Sequence, residues 1–251
     1  MMKIDVIQGT VFFIDMRNFT LLSSYMAENP RESRIIESGQ TQYQGRLEFL
    51  IQTMTHFYQD WVATLQVYIA QGVVKEVVFQ STGDGVMVGL VGDKHYQVAF
   101  ESSIAIAKKI RKELDLRINP RLKELGINRW SDLLDFGVGI CSGSFTFVAV
   151  PKMIDPRHSD FTKESDVSYT ILGTAPNYAA RVESATKDHS DSTILIAEPT
   201  IELLCKSQNV NLDDKRAIED HFGVTYLSKH KFKGVKALGL YMVQVKSEPD
   251  K

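Results

Sequence analysis

The stretch VFFIDMRNFT, residues Val11 to Thr20, begins with four apolar residues and then stops at the carboxylate of Asp15. The apolar run predicts a buried strand over residues 8–15, followed by a loop over 16–20 and a short helix near 20–27. Burying an unpaired carboxylate is costly, so a strand that ends on one needs a cation, a metal ion or water beside it. Arg17 is one candidate partner, and a bound metal ion is the other.

Composition narrows the class of protein. The 251 residues are 43% hydrophobic and 24% charged, which is typical of a globular protein with a sizeable core. A net charge of −2 provides no field that would attract nucleic acid or acidic lipid, so neither partner is expected. Cys141 and Cys205 lack the spacing of metal ligands, and we expect buried thiols in a reducing compartment. Without an apparent signal peptide or membrane span, a cytoplasmic protein is predicted.

Hydrophobic periodicity predicts mixed helices and strands, and therefore an α+β fold in one domain over residues 1–251. The polar stretch 27–42 and the Pro- and charge-rich segment 151–166 are predicted to be loops. Helices are expected over residues 42–66, 95–115, 174–188 and 198–206. Strands are expected at 73–80 and 86–91 as a hairpin, at LLDFGVGIC and SFTFVAV joined through Gly143, at SYTILG, at TILIA, and as a closing pair between 222 and 246.

Asp84 lies in the glycine-bracketed hairpin TGDGVM. Neighbouring strands lie about 4.8 Å apart, so Asp15 and Asp84 at adjacent strand ends can converge on the same ions. Oxygen ligands in an open cluster suit Mg²⁺, and two ions there would clamp the attacking and leaving oxygens of a phosphoryl displacement. The alternative is that Asp84 is an ordinary turn residue, because Asp-Gly is a common turn pair.

The segments TAPNYAARVE and KFKGVKALGLY hold the other polar candidates. Thr174 is expected to cap a helix on which Asn177 and Arg181 stand four residues apart on one face. An amide and a guanidinium on the same face suit a hydroxyl and a phosphate, whereas the alternative is a solvated polar face. Lys233 is placed to reach a phosphate, or is simply a basic loop tip.

The order and spacing of these segments together resemble the class III nucleotide cyclase catalytic domain. The resemblance runs from about residue 10 to residue 245, through FFIDMRNFT, STGDGVMV, FGVGICSG, YTILGTAPNYAARVE and KGVKALGLY. It implies a ferredoxin-like antiparallel sheet with flanking helices. It also implies that two such domains pair head to tail, with active sites at their interface, and convert a nucleoside triphosphate to the 3′,5′-cyclic monophosphate and pyrophosphate.

The same resemblance implies a role for each matching residue. Asp15, Asp84 and the carbonyl of Met16 match the ligands of two Mg²⁺ or Mn²⁺ ions. The loop Asn18, Phe19 and Thr20 matches the segment whose amides hold the triphosphate.

A second group matches the rest of the site. Asn177 matches the residue that orients the ribose, Arg181 the arginine that stabilises the transition state, and Lys233 a lysine on the terminal phosphates. Since the two groups of one site would come from different subunits, a homodimer with two complete sites is implied.

The base-reading positions depart from the common pattern. Adenylate cyclases of the family usually have Lys and Asp there and guanylate cyclases Glu and Cys, whereas this chain has Gln80 and Thr170. The amide of Gln80 both donates and accepts, so it suits a pyrimidine edge. Ser144 stands where some members carry a phosphate-binding arginine. Tyr43, Phe49 and Leu50 either narrow the base pocket or pack in the core.

With these changes the chain resembles the stand-alone Pycsar-type pyrimidine cyclases, which make cUMP or cCMP as second messengers in bacterial antiphage defence. UTP is favoured over CTP as the substrate. An adenylate cyclase that makes cAMP from ATP is the first alternative, and a non-catalytic cyclase-like module that binds nucleotide is the second.

Overall fold

The computed structural model describes residues 6–28, 33–37, 40–44, 46–71, 73–124, 127, 133–151, 167–189, 193–233 and 236–245. The strands are β1 (Ile7–Arg17), β2 (Ser33–Glu37), β3 (Gln40–Gln44), β4 (Glu76–Ser81), β5 (Gly85–Val91), β6 (Asp135–Pro151), β7 (Val167–Gly173), β8 (Thr193–Ala197), β9 (Thr225–His230) and β10 (Leu238–Gln244). The α-helices are α1 (Phe19–Glu28), α2 (Arg46–Ile69), α3 (His95–Glu113), α4 (Asn119–Glu124), α5 (Thr174–Ala185), α6 (Glu198–Gln208) and α7 (Lys215–Phe222).

Eight strands form one sheet in the order β4-β5-β1-β6-β8-β10-β9, and β7 pairs with the second half of β6. All neighbouring strands are antiparallel except β6 and β8, which run parallel. The predicted α+β fold, with a ferredoxin-like sheet and flanking helices, is confirmed. No helix in the described part of the chain has the length and hydropathy needed to cross a bilayer.

Both faces of the sheet are covered, which explains the unbroken apolar run at the start of β1. Phe12, Ile14 and Met16 are buried on the first face, against α2, α3 and α6. Val11 is buried on the second face, against the apolar side of α5. Asp15 follows Val11 and Phe13 at alternate positions, so it lies on the second face, two residues before β1 ends at Arg17.

Helix α5 lies very close to the centre of the sheet because β6 carries glycines beneath it. A Cβ at Gly137 would overlap with the hydroxyl of Thr186, and one at Gly139 would overlap with the backbone of Glu183. Two adjacent glycines on the same face therefore let the helix backbone rest on the strand.

The stretch 27–42 is not wholly a loop, and the expected helix from residue 42 begins later. Within it, β2 and part of β3 form a two-stranded sheet, and α2 starts only at Arg46. These strands are mostly polar, so apolar periodicity carries little signal for them. Residues 152–166, predicted to be a loop, lie outside the described residues.

Three further expectations change in detail. LLDFGVGIC and SFTFVAV form one continuous strand, β6, because Gly143 keeps its place in the ladder opposite Gly9. The helix predicted over 95–115 ends at Glu113 and continues through a π-helical turn, Leu114–Ile118, into α4. Helix α7 was not expected from the sequence.

Phe49 and Leu50, which either narrow a base pocket or pack in the core, are core residues. Leu50 is buried and Phe49 packs against the core of the first face, away from the face of Asp15. The side chain of Tyr43 lies outside the described part of the structure. Cys141 and Cys205 are both buried free thiols, as predicted.

Glu183 is a buried carboxyl on α5. Its Oε1 accepts no hydrogen bond from the described residues, and Ser184 approaches its Oε2 at 3.4 Å. Burial, and after it the charge of Asp15, raise the pKa of Glu183 to about 7 against the opposing effects of Lys187 and Arg17. The folded protein therefore binds this proton more tightly than the unfolded chain does, so stability is lost as the pH rises from about 4.5 to about 7.

Replacing Glu183 with Gln should remove this penalty, because the amide does not ionise. In EDTA, we expect the free energy of unfolding of Glu183→Gln to exceed that of the wild type by about 2–3 kcal/mol at pH 8 and to converge with it at pH 4. Urea denaturation at both pH values measures this. Glu76→Gln, the same change at an exposed site on β4, is the matched control, and an equal response of both variants at pH 8 would contradict the prediction.

Candidate active site

The pairing of β1 with β5 brings Asp15 and Asp84 together where the two neighbouring strands meet at one end. Asp15 lies opposite Gly85 in the ladder, and the N–H of Met16 donates to the carbonyl of Asp84 at 3.1 Å. The hydroxyl of Thr20 donates to Oδ2 of Asp84 at 3.0 Å. Gly85 leaves room for the neighbouring carboxylate, because a Cβ there would lie 3.0 Å from Oδ1 of Asp15.

Arg17 is not the ion-pair partner of Asp15. Its guanidinium donates to Asp135 at 3.2 Å and to the carbonyl of Thr186 at 2.6 Å. The nearest ammonium to Asp15 is that of Lys187, at 3.9 Å. Among the described residues, the carboxylate of Asp15 therefore has one ion-pair partner, Lys187, at the long distance of 3.9 Å.

The electrostatics at Asp15 suit a divalent cation. Burial raises the pKa of Asp15 and the charge of Asp84 raises it further, whereas Lys187 and Arg17 lower it. Two carboxylates that repel each other in a half-buried position are stabilised by a cation between them. The described residues gather no group of three His, Cys, Asp or Glu side chains. An ion held by Asp15 and Asp84 would therefore take the Met16 carbonyl, water or phosphate as further ligands, as Mg²⁺ does.

The predicted loop over residues 16–20 is reduced to Asn18, because β1 continues to Arg17 and α1 begins at Phe19. Asn18 adopts a left-handed conformation with φ of 66°, its carbonyl accepts from the N–H of Leu22, and its side-chain amide donates to the carbonyl of Leu133 at 2.7 Å. Phe19 packs its ring against the core. The first amides of α1 have no acceptor within the helix and lie beside the two carboxylates, where they suit an anion such as a phosphate.

Gln80 and Thr170, far apart in the chain, are in contact. The hydroxyl of Thr170 donates to Oε1 of Gln80 at 2.5 Å. This contact depends on β7 folding back towards β4, which Gly89 permits because a Cβ there would lie 2.6 Å from the side chain of Ile171. The two predicted base-reading positions therefore form one polar pair.

An open cleft of about 1100 Å³ lies between the start of α5 and the segment that joins β9 to β10. It is lined by Thr174, Asn177, Tyr178, Lys231, Phe232, Lys233 and Lys236. Arg181 lies beside it and donates to the carbonyl of Lys233 at 2.6 Å. The exposed face of α5 is polar, as the alternative interpretation states, and it also forms one wall of this cleft.

Thr174 does not cap α5, contrary to the prediction. Gly173 occupies the cap position of α5, and it has no side chain that could accept a hydrogen bond from the helix. The hydroxyl of Thr174 instead donates to the carbonyl of Ser144 at 3.1 Å and lies 3.0 Å from the Ser144 hydroxyl. The hydrogen bond across to β6 competes with the local one and prevails because β6 lies directly beside the end of β7.

The predicted residues thus form two groups within one chain. The first group, which we call the acidic half-site, contains Asp15, Met16, Asp84 and the segment Asn18–Thr20. Asn177, Arg181 and Lys233 form the other, which we call the basic half-site. In the described structure no hydrogen bond or ion pair joins the two groups.

Sequence reasoning missed several residues near these half-sites. Glu183 and Lys187 interact with Asp15 from the far end of α5, and Lys231 and Lys236 line the cleft of the basic half-site. Lys187 lies in the short turn Thr186–Asp188 that follows α5, and apolar periodicity does not single out a charged residue there. The repeated lysines of KHKFKGVK were a visible signal of a concentrated positive charge.

Comparisons with known proteins agree with this architecture. No protein-family model matches the sequence, and no curated protein matches it. Among solved structures, the adenylyl cyclase CyaB from P. aeruginosa is similar at a TM-score of 0.60 and 22% identity, over 100% of both chains. The guanylyl cyclase Cya2 is similar at a TM-score of 0.59 and 15% identity, over 98% of this chain and 96% of that one.

A third similar structure is the dimeric guanylyl cyclase domain of the RhoGC fusion protein from the aquatic fungus Blastocladiella emersonii. Its TM-score is 0.56 and its identity 16%, over 95% of this chain and 97% of that one. At these identities the likeness concerns the fold. The chain therefore has the fold of the class III nucleotide cyclase catalytic domains.

Proposed function

We propose that this protein is a nucleotide cyclase that converts a nucleoside triphosphate to its 3′,5′-cyclic monophosphate and pyrophosphate. The observation that carries the proposal is the acidic half-site, where Asp15 and Asp84 converge beside the start of α1. This arrangement offers carboxylates to a cation and N–H groups to a phosphate at one end of the paired strands β1 and β5. It occurs in a chain with the fold of adenylyl and guanylyl cyclases.

The acidic half-site would hold two Mg²⁺ or Mn²⁺ ions through Asp15, Asp84 and the carbonyl of Met16. Such ions lower the pKa of the ribose 3′-hydroxyl and offset charge on the phosphates. The amides of Phe19 and Thr20 bind the triphosphate and hold its α-phosphorus near that hydroxyl.

The basic half-site supplies the remaining contacts. Asn177 orients the ribose through its amide, and Lys233 binds the terminal phosphates. The 3′-hydroxyl loses its proton to water as its oxygen bonds to the α-phosphorus, and the bond from the α-phosphorus to the α,β-bridging oxygen breaks, so pyrophosphate leaves. Arg181 meets the negative charge that grows on the phosphoryl oxygens during this displacement.

We propose that a homodimer brings the two half-sites together. Among the described residues of one chain, no hydrogen bond or ion pair joins the acidic half-site to the basic one, although each half-site has contacts of its own. A two-fold axis would place the acidic half-site of each subunit against the basic half-site of the other and would complete two sites.

The contact of Gln80 with Thr170 supports UTP as the preferred substrate. Because Oε1 of Gln80 already accepts from Thr170, the amide Nε2 remains to donate and the Thr170 oxygen remains to accept. Uracil offers the complementary pair, a carbonyl O4 beside N3–H. Held in the same orientation as uracil, cytosine would present its amine to the Gln80 amide and its unprotonated N3 to the Thr170 oxygen, so it matches this arrangement less well.

The cyclic product would then be cUMP, a second messenger. We propose that it acts in bacterial antiphage defence, because the sequence resembles the Pycsar-type pyrimidine cyclases that serve this purpose. A cytoplasmic location is part of the same proposal.

The first test is a product assay with each of the four nucleoside triphosphates, with Mg²⁺ or Mn²⁺. We expect cUMP and pyrophosphate, with kcat/KM for UTP about tenfold or more above the others. Preference for ATP would overturn the pyrimidine assignment and leave the cyclase assignment standing. Guanine offers the same carbonyl beside an N–H as uracil, so GTP is the most stringent competitor. No turnover with any nucleotide would favour a binding module.

The shared sites can be tested by mixing two inactive variants. Asp15→Ala removes the acidic half-site and Arg181→Ala the basic one, so each homodimer should be inactive. After subunit exchange in an equimolar mixture, half of the dimers carry one intact site, and about a quarter of the wild-type activity should return. A mixture of Asp15→Ala with Asp84→Ala is the matched control and should remain inactive. If the first mixture also stays inactive although mixed dimers form, the proposed sharing is wrong.

Base recognition can be tested at Gln80. Gln80→Glu replaces the donating amide with an acceptor, so kcat/KM for UTP should fall by about 10- to 100-fold while CTP loses less. The ratio of the two kcat/KM values measures this. Gln66→Glu, the same change on the exposed side of α2, should leave the ratio unchanged. Equal losses for both nucleotides would show that Gln80 does not read the base.

A further inference from the structure

The segment between β9 and β10 carries three lysines on one cleft. Lys231, Lys233 and Lys236 all line the open cleft of about 1100 Å³, and none of the described residues that line it is acidic. Like charges that share one cleft repel one another, and a bound anion offsets that repulsion. The cleft therefore has the electrostatic character of a site for a polyanion. Its positive charge extends over a larger area than Lys233 alone would cover.

This segment is anchored rather than free. Phe232, between two of the lysines, is buried in the core of the second face. Two residues of α5 bind its backbone: Arg181 donates to the carbonyl of Lys233 at 2.6 Å, and the hydroxyl of Tyr178 accepts from the N–H of Lys236 at 3.2 Å. Tyr178 and Arg181 stand three residues apart, so both project from the same side of the helix.

We propose that Lys231 and Lys236 bind the triphosphate together with Lys233, and that Tyr178 is a positioning residue that holds this lysine segment against α5. The inference rests on the proposed function, because it names further substrate contacts of the basic half-site. It also explains the hydroxyl of Tyr178: a phenylalanine would pack its ring as well, but would leave the N–H of Lys236 without this acceptor.

The lysines can be tested by neutralising each one. Lys231→Gln and Lys236→Gln should each raise KM for the preferred triphosphate by about three- to tenfold and change kcat by less than about twofold. Both should weaken binding of inorganic tripolyphosphate, measured by calorimetry, by a similar factor. Lys229→Gln, on β9 and outside the lining of the cleft, is the matched control and should change neither value. Unchanged KM and tripolyphosphate affinity in both variants would overturn the proposal.

Tyr178→Phe tests the positioning role without changing charge. We expect a similar rise in KM with little change in kcat, and faster hydrogen exchange at the amide of Lys236, while the melting temperature stays near that of the wild type. An unchanged KM would exclude this role for Tyr178.

If the wild type turns over no nucleotide, the cyclase proposal fails on its own, whereas the tripolyphosphate affinities of the lysine variants still decide whether this segment binds polyphosphate.

Discussion

The antiparallel pairing of β1 with β5 is the constraint on which the candidate site depends. The register places Asp15 opposite Gly85, and the N–H of Met16 is bonded to the carbonyl of Asp84. A slip of one residue would turn Asp15 towards the other face of the sheet and into the apolar core. Since the flanking residues of β1 are buried on both faces, that register is strongly specified, and the carboxylates are held by the same packing that stabilises the fold.

Helix α5 connects the core to both half-sites. Its apolar side rests on the glycines of β6, its start borders the cleft with Asn177, and its end brings Glu183 and Lys187 near Asp15. The close approach to β6 buries the Glu183 carboxyl at a cost in stability above neutral pH. A buried carboxyl with a raised pKa beside the candidate site agrees with the general tendency of active sites to hold perturbed groups.

The two half-sites differ in how they are built. The acidic half-site belongs to one strand, one hairpin and the first turn of α1, so its parts are close in space through the local ladder. The basic half-site and the Gln80–Thr170 pair join segments far apart in the chain, through side-chain hydrogen bonds and the folding back of β7. These long-range contacts decide which groups remain to meet a base or a phosphate.

The sequence by itself determined the α+β class and most strands and helices, because apolar periodicity is a local property. The residues of both half-sites stay a prediction, drawn from polar residues at expected strand ends and turns and from the resemblance to the class III nucleotide cyclases. It did not reveal the polar hairpin of β2 and β3 or the continuity of β6 through Gly143, since neither changes the apolar pattern. The tertiary structure alone decided that Arg17 pairs with Asp135 and not Asp15, that Thr174 donates to the carbonyl of Ser144, and that the hydroxyl of Tyr178 accepts from the N–H of Lys236. Each of these depends on which groups far apart in the chain come within hydrogen-bond distance, and that is set by strand register and packing rather than by neighbours in sequence.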